Sequence, residues 1–206
     1  MSDIGSWPMP TNLRGRIVRL EPLGPEHLDG LVDAGADPRT WTWMVAPLTT
    51  REAMTAAMQA AMRNRDAGTE IPLATLDAAT GRVLGSSRYL AIVPEHRRLE
   101  IGWTWLHPSA WRTGANVEAK LLMLRHAFET LRAQRVEFKT DARNERSRAA
   151  LAGIGGQFEG IARKHMVMAD GRIRDSAWFA VTDDDWPTVK AALEARLAAH
   201  AAGGTR

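Results

Sequence analysis

The sequence predicts an α+β fold, a three-layer α/β arrangement in other schemes, in which helices cover both faces of a mixed central sheet of about seven strands. Segments with the two-residue period of a strand alternate with segments that repeat every three to four residues, in the order βααβββαβαββα. The 206 residues, 45% of them hydrophobic, show no internal repeat and no low-complexity linker. One domain with a sizeable core is therefore expected.

The first third of the chain predicts one strand and two helices. Residues 16–20 alternate polar and apolar side chains, which is typical of a half-buried strand. A helix begins near Pro25 and ends before Asp37, and a second helix covers residues 50–65 with methionines on one face.

The middle of the chain predicts a hairpin, the clearest strand and the strongest helix. Residues 71–76 and 83–93 form the hairpin around a turn at 79–81, and residues 99–106 form the strand. Strict alternation places one set of its side chains on one face, namely Leu99, Ile101, Trp103 and Trp105, and the other set opposite, namely Glu100, Gly102 and Thr104. The helix covers residues 117–131.

The last third predicts a strand at 136–140, a short helix at 147–153, a hairpin at 158–181 and a helix at 186–199. We expect a flexible segment at residues 1–12, one domain at 13–199 and a tail at 200–206.

Composition restricts the function classes. The chain has no cysteine, so disulfides, zinc-thiolate sites and a cysteine nucleophile are excluded. No segment approaches the roughly 18 consecutive apolar residues of a membrane span, and a cytoplasmic location is expected. A net charge of +3 does not favour nucleic acid, and the six histidines lack metal-site spacing, so neither nucleic acid, membrane nor metal is an expected partner.

The loop at 109–116 joins the clearest strand to the strongest helix. Its glycine, Gly114, permits close approach of a ligand, and the first amides of the helix can bind a diphosphate. Ordinary turn chemistry is the alternative.

Several groups of residues carry a resemblance to a known superfamily. They are residues 100–103, 111–116 and 118–122, Asn144 with Ser147, and the closing segments 159–160 and 174–176. Over residues 13–197 the chain resembles the GCN5-related N-acetyltransferase (GNAT) superfamily, in particular the branch of the ribosomal-protein alanine acetyltransferases. The resemblance implies a GNAT-like sheet and acetyl-CoA as co-substrate. It also implies a transferase that moves the acetyl group to a primary amine, of a protein N-terminus or a small molecule, by direct attack in a ternary complex.

The resemblance also implies the residues that bind coenzyme A. The family's loop pattern, Gln or Arg, two residues, Gly, one residue, then Gly or Ala, falls on Trp111, Gly114 and Asn116, of which only the glycine matches strictly. The loop and helix start would hold the diphosphate, namely Trp111, Arg112, Thr113, Gly114, Ala115, Asn116 and Val117. Arg112 would supply a cation, and Asn116 is alternatively the N-cap of the helix.

The strands at 99–106 and 136–140 splay apart in this family, and the pantetheine arm lies between them. The resemblance implies that it binds the backbone of Trp103, Thr104, Trp105 and Leu106, whereas the tryptophan rings pack in the core. Asn144 would hold the pantetheine amide; helix capping is the alternative role of Asn144 and Ser147.

Catalysis requires a neutral amine. Deprotonation at pH 7 costs about 4.6 kcal/mol for a lysine and about 1.4 kcal/mol for an α-amine, so a weak or water-relayed base suffices for the latter. By resemblance Glu100 is the first candidate base, on the face opposite Trp103, and Glu159 the second. Ser147 would stabilise the leaving thiolate. An ordinary exposed strand glutamate is the alternative for Glu100.

The sequence indicates the residues that bind the acceptor less clearly than those that bind coenzyme A. Trp41 and Trp43 lie where the family's early helices cover the acceptor, with core packing as the alternative. A succinyl-CoA or other acyl-CoA donor would need a cation, for which Arg88, Arg97 and Arg98 are uncommitted. A non-catalytic acyl-CoA sensor and a homodimer also stay open.

Overall fold

The computed structural model describes Trp7 and residues 11–203, which form eight strands and five α-helices. The strands are β1 (Leu13–Arg14), β2 (Val18–Pro22), β3 (Ile71–Asp77), β4 (Val83–Val93), β5 (Arg98–Leu106), β6 (Arg135–Asp141), β7 (Gln157–Val167) and β8 (Ile173–Thr182). The helices are α1 (Leu28–Gly35), α2 (Arg51–Asp66), α3 (Ala115–Arg125), α4 (Glu145–Gly153) and α5 (Trp186–Gly203).

All eight strands form one mixed sheet in the order β1-β2-β3-β4-β5-β6-β8-β7. Every neighbouring pair is antiparallel except β5 and β6, which are parallel. The predicted fold class and element order are thus confirmed. The additional strand, β1, has two residues, too few to show a period in the sequence.

Helices cover both faces of the sheet. Successive strand residues point to opposite sides, and each side packs against its own helices. Leu73 belongs to the core cluster that includes residues of α3 and α5, whereas its neighbour Ala74 belongs to the cluster that includes residues of α1 and α2. Buried residues occupy all sides of α3, which lies under the sheet and contacts α5.

The predicted faces of β5 are wrong beyond Gly102. Trp103 has a positive φ of 49°, and the register with β4 shifts between Ser86 and Arg88. This bulge exchanges the faces of the residues that follow it. Trp103 therefore contacts Arg88 on the side of Glu100, while Thr104 joins Leu99 and Ile101 on the side of α3.

The two ends of the chain are described only in part. Most of the predicted flexible segment, residues 1–6 and 8–10, lies outside the described residues. Trp7 is described, and its indole donates to the carbonyl of Leu131. At the other end, α5 continues from residue 199 to Gly203, so residues 200–203 of the predicted tail are helical. Across the described chain no helix is both long and apolar enough for a membrane span.

Candidate active site

The two central strands separate. β5 and β6 pair for only three residue pairs, the last of them Glu100 with Glu137. β5 nevertheless continues to Leu106 and β6 to Asp141. Beyond Glu100 the edge of β5 no longer pairs with β6, which leaves main-chain groups of this segment for another partner.

Trp111 occupies part of this edge. Its Nε1 donates to the carbonyl oxygen of Leu106 at 2.9 Å, and the guanidinium of Arg146 lies 4.1 Å from its ring centroid. The contact joins the loop after β5 to the first turn of α4. The carbonyl of Leu106 is therefore engaged by the protein itself, which leaves Trp103, Thr104 and Trp105 as the predicted residues whose backbone would face a ligand.

The start of α3 offers unpaired amides. Gly114 precedes the helix with φ of 85°, a conformation that favours glycine, and it has no side chain to cap the helix. The amide of Ala115 lies 3.4 Å from the hydroxyl of Thr113, while those of Asn116 and Val117 have no acceptor among the described residues. The alternative role of Asn116 as N-cap is wrong, since Asn116 lies inside the helix.

A buried carboxylate holds this helix start in place. Glu118 on α3 accepts hydrogen bonds from the amides of Arg16, Ile17 and Val18, at 2.9, 2.6 and 2.7 Å. It thereby ties the first turn of α3 to the hairpin of β1 and β2. Glu118 has no predicted role, although a glutamate before a long apolar stretch of a helix is a visible signal in the sequence.

Glu100 lies where the strands separate. Its side chain is 2% exposed, and the Nζ of Lys139 donates to its Oε2 at 2.9 Å. Burial raises the pKa of Glu100, and the positive charge of Lys139 opposes this effect. A carboxylate with a raised pKa accepts a proton more readily, as a general base requires.

Residues from β6, β7 and β8 continue this face. Lys139 is opposite Trp178 in the register and lies 5.3 Å from its ring centroid. Ser176 lies 3.0 Å from the Nδ1 of His165, whose ring meets Trp178 edge to face. Burial and the charges of Lys139 and Arg174 lower the pKa of His165. The sequence does not predict this group, because its members come together only through strand register.

Glu159, the second candidate base, is paired with a cation. Its Oε1 accepts from the Nη1 of Arg135 at 2.7 Å, and a second contact joins the same two groups. Arg135 lowers the pKa of Glu159 and thus disfavours its protonation. Arg135 is the first residue of β6, opposite Arg98, so that Glu159 is held at the end of β6 where the strands are still paired.

Asn144 and Ser147 lie beyond the open end of β6. Asn144 is the N-cap of α4 and accepts from the amide of Ser147 at 3.0 Å. Its capping role is present, while the Ser147 hydroxyl has no partner among the residues that are described.

The two early tryptophans, Trp41 and Trp43, were predicted to line the acceptor site. Trp41 is buried, donates to the carbonyl of Gly35 at 2.7 Å and packs on Trp105 with centroids 4.8 Å apart. Trp43 lies 5.7 Å from the guanidinium of Arg143. A cavity of about 240 Å³ adjoins Trp41, lined by residues of 38–47 and of the turn between β7 and β8. Trp41 thus combines core packing with a place in a cavity wall.

Lys120 is a buried cation on α3. Its Nζ donates to the hydroxyl of Thr104 at 2.5 Å and to that of Ser87 at 3.2 Å, and these hydroxyls are 2.7 Å apart. No carboxylate pairs with it within the described part of the chain. Burial lowers the pKa of Lys120 from 10.5 to about 7.

The three arginines proposed as uncommitted cations all have partners. Arg88 pairs with Glu70 at 2.8 Å, the Nε of Arg97 donates to the carbonyl of Arg132 at 2.7 Å, and Arg98 lies 3.5 Å from Glu137. Arg88 and Arg98 are thus paired with carboxylates, whereas the only partner of the Arg97 side chain among the described residues is a carbonyl oxygen. No group of three acidic or histidine side chains that could hold a metal ion occurs in the described ranges.

Comparisons with known proteins agree with this architecture. The sequence matches the acetyltransferase (GNAT) domain family over residues 18–157. A GCN5-related N-acetyltransferase from Brucella melitensis is similar, with a TM-score of 0.85, 35% identity, and coverage of 91% of this chain and 86% of that chain. The uncharacterized N-acetyltransferase YoaA of Bacillus subtilis (strain 168) is 31% identical over 87 residues, or 42% of this chain and 49% of YoaA. The chain thus spans about half the length of this curated relative.

RimJ of Mycobacterium smegmatis, solved in complex with CoA-disulfide, has the same fold. Its TM-score is 0.76 at 21% identity, with coverage of 93% of this chain and 96% of RimJ. The family match extends from β2 to the start of β7, and it therefore includes the separated strands, the loop around Gly114 and α4. The chain belongs to the GNAT family of acetyltransferases.

Proposed function

We propose that this protein is an N-acetyltransferase that moves the acetyl group of acetyl-CoA to a primary amine within a ternary complex. The observation that carries the proposal is the separation of β5 from β6 directly beyond Glu100, beside a helix start whose amides of Asn116 and Val117 have no acceptor in the described chain. The RimJ structure, which has this fold and binds CoA-disulfide, supports the same assignment.

Acetyl-CoA fits the groups present. The amides at the start of α3 would bind its diphosphate, with Arg112 as a nearby exposed cation. The backbone of Trp103, Thr104 and Trp105 would bind the pantetheine arm as an added strand.

The chemical step can be written with the side chains of Glu100 and Ser147. The amine nitrogen attacks the thioester carbonyl carbon, the carbon–sulfur bond breaks, and the proton of the amine passes to Glu100, directly or through water. Ser147 would donate a hydrogen bond to the leaving sulfur. Because one carboxylate supplies the basicity, an α-amine, as on a protein N-terminus or a small amino compound, suits the site better than a lysine side chain. The cavity beside Trp41 would hold part of the acceptor.

The test combines calorimetry with thiol release on a panel of amines. We expect acetyl-CoA to bind, and Glu100→Gln to lower kcat by about 10²- to 10⁴-fold without weakening that binding. Glu95→Gln, at an exposed position, is the matched control. Full turnover by Glu100→Gln would remove Glu100 from the mechanism. Tight binding without turnover on any amine would instead indicate an acyl-CoA sensor.

A further inference from the structure

Arg174 is a nearly buried cation for which the structure shows no hydrogen-bond partner. It lies on β8 with 7% of its surface exposed, and its Nε is buried without an acceptor. Its two Nη atoms donate to no described residue and are not among the buried unpaired atoms, so they are the part of the guanidinium that reaches solvent. A guanidinium has five N–H donors, and burying them unpaired is costly. The two Nη atoms are therefore the donors of Arg174 that a ligand could reach.

The register places Arg174 on the face of Glu100. Asp141 is opposite Ser176 and Lys139 is opposite Trp178, so these four side chains share that face. Arg174 precedes Ser176 by two residues on the same regular strand and therefore points the same way. It thus lies beside the end of β6 that has separated from β5.

The carboxylates near Arg174 already pair with other cations. Glu100 is paired with Lys139, and Asp141 already accepts from Arg172 at 2.8 Å and lies 3.4 Å from Arg143. Arg174 is left without an anion of its own among the described residues. A single anionic group with two oxygen atoms matches both the charge and the planar fork of a guanidinium.

We propose that Arg174 binds a carboxylate carried by one of the two substrates, either on the amine acceptor or at the far end of the acyl group of the donor. The inference rests on the proposed function and specifies its substrate class. It also replaces the three arginines that the sequence analysis offered for a dicarboxylic acyl donor.

Two arms of one experiment distinguish the sources. In the acceptor arm, acetyl-CoA is used with leucine and with leucinamide, and kcat/KM is compared for the wild type and Arg174→Gln. In the donor arm, one amine is used with succinyl-CoA and with acetyl-CoA. We expect Arg174→Gln to reduce the preference for the carboxylate in one arm by about tenfold to a hundredfold, and to leave the other arm unchanged. Dividing the variant ratio by the wild-type ratio cancels the intrinsic reactivity of each amine or thioester.

A binding measurement keeps the test independent of turnover. Succinate and its neutral isostere succinamide are titrated into the CoA-bound protein and followed by the indole signals in NMR spectra. Succinate should bind the wild type at least about tenfold more tightly than succinamide, and Arg174→Gln should abolish this difference. Arg51→Gln, at an exposed surface pair with Asp29, is the control.

The outcomes separate this inference from the proposed function. Equal carboxylate preferences in wild type and Arg174→Gln in both arms, with acetyl-CoA turnover and thermal stability retained, would overturn the role of Arg174 alone. Loss of acetyl-CoA binding by the wild type would overturn the proposed function. If Arg174→Gln does not fold, Arg174→Lys keeps the charge without the fork and should retain only part of the preference.

Discussion

Replacing Lys120 with methionine should stabilise the protein, and more so as the pH falls. The change removes a charge that can be formed in the native state only at the expense of desolvation, and it keeps a long unbranched side chain. The hydroxyls of Ser87 and Thr104 remain 2.7 Å apart and can still satisfy one another.

The magnitude follows from the pKa of Lys120, which burial lowers from 10.5 to about 7. Between these values the unfolded chain binds a proton that the native protein does not, so the stability of the wild type rises with pH across this window and is lost as the pH falls. Relative to an unshifted group, the penalty is about 4 kcal/mol at pH 7 and about 2 kcal/mol at pH 9.

Urea unfolding of the wild type and Lys120→Met at pH 7, 8 and 9 measures the difference in free energy of unfolding. This difference should shrink by about 2 kcal/mol from pH 7 to pH 9, and any effect of packing that does not depend on pH cancels in the comparison. The exposed Lys164→Met serves as the control and should show little dependence on pH. A difference for Lys120→Met that stays constant from pH 7 to pH 9 would refute the depressed pKa.

Two further changes test the start of α3. Glu118→Gln should lower the free energy of unfolding by about 1–3 kcal/mol, because the NH2 group of the glutamine would face a backbone N–H that now donates to the carboxylate. Glu194→Gln on the surface is the control. Equal urea midpoints for Glu118→Gln and the wild type would contradict the role of Glu118. Gly114→Ala should lower the free energy of unfolding by about 1–2 kcal/mol, because a φ of 85° disfavours alanine and the added Cβ would approach Ile17 to 2.8 Å. It should also weaken acetyl-CoA binding in calorimetry, because Gly114 directly precedes the helix start proposed to bind the diphosphate. The exposed Gly171→Ala has a similar φ of 79° without a close neighbour, so a loss of affinity common to both variants would speak against a site at Gly114.

The residues of β5 show which structural features can be predicted from the sequence and which cannot. The alternation of residues 99–106 predicts a strand, and the structure has β5 at Arg98–Leu106. The faces are wrong from Trp103 onward, because a single residue with positive φ exchanges all later side chains. A side-chain period cannot reveal such a residue, particularly when it is a tryptophan rather than a glycine.

Some residues of the candidate site could likewise be predicted from the sequence, and others could not. The loop around Gly114 and the candidates Glu100, Asn144 and Ser147 are visible because each lies at the end of a local element or in a short motif. Lys139, His165 and Arg174 are not, since they lie on three different strands. Their proximity depends on pairings such as Lys139 with Trp178, which join residues that are far apart in the chain.

Periodicity and loop chemistry depend on residues that are close together in the chain. The order of strands and helices, the mixed sheet and the family resemblance could therefore be predicted from the amino-acid sequence alone. Tertiary contacts were needed to show that Arg88 and Arg98 are already paired and that the buried Lys120 has no carboxylate partner among the described residues. They also show that Arg174 lies on the face of Glu100 with no hydrogen-bond partner among those residues. Burial and charge compensation are sums over residues from distant segments, and no window of sequence contains those segments together.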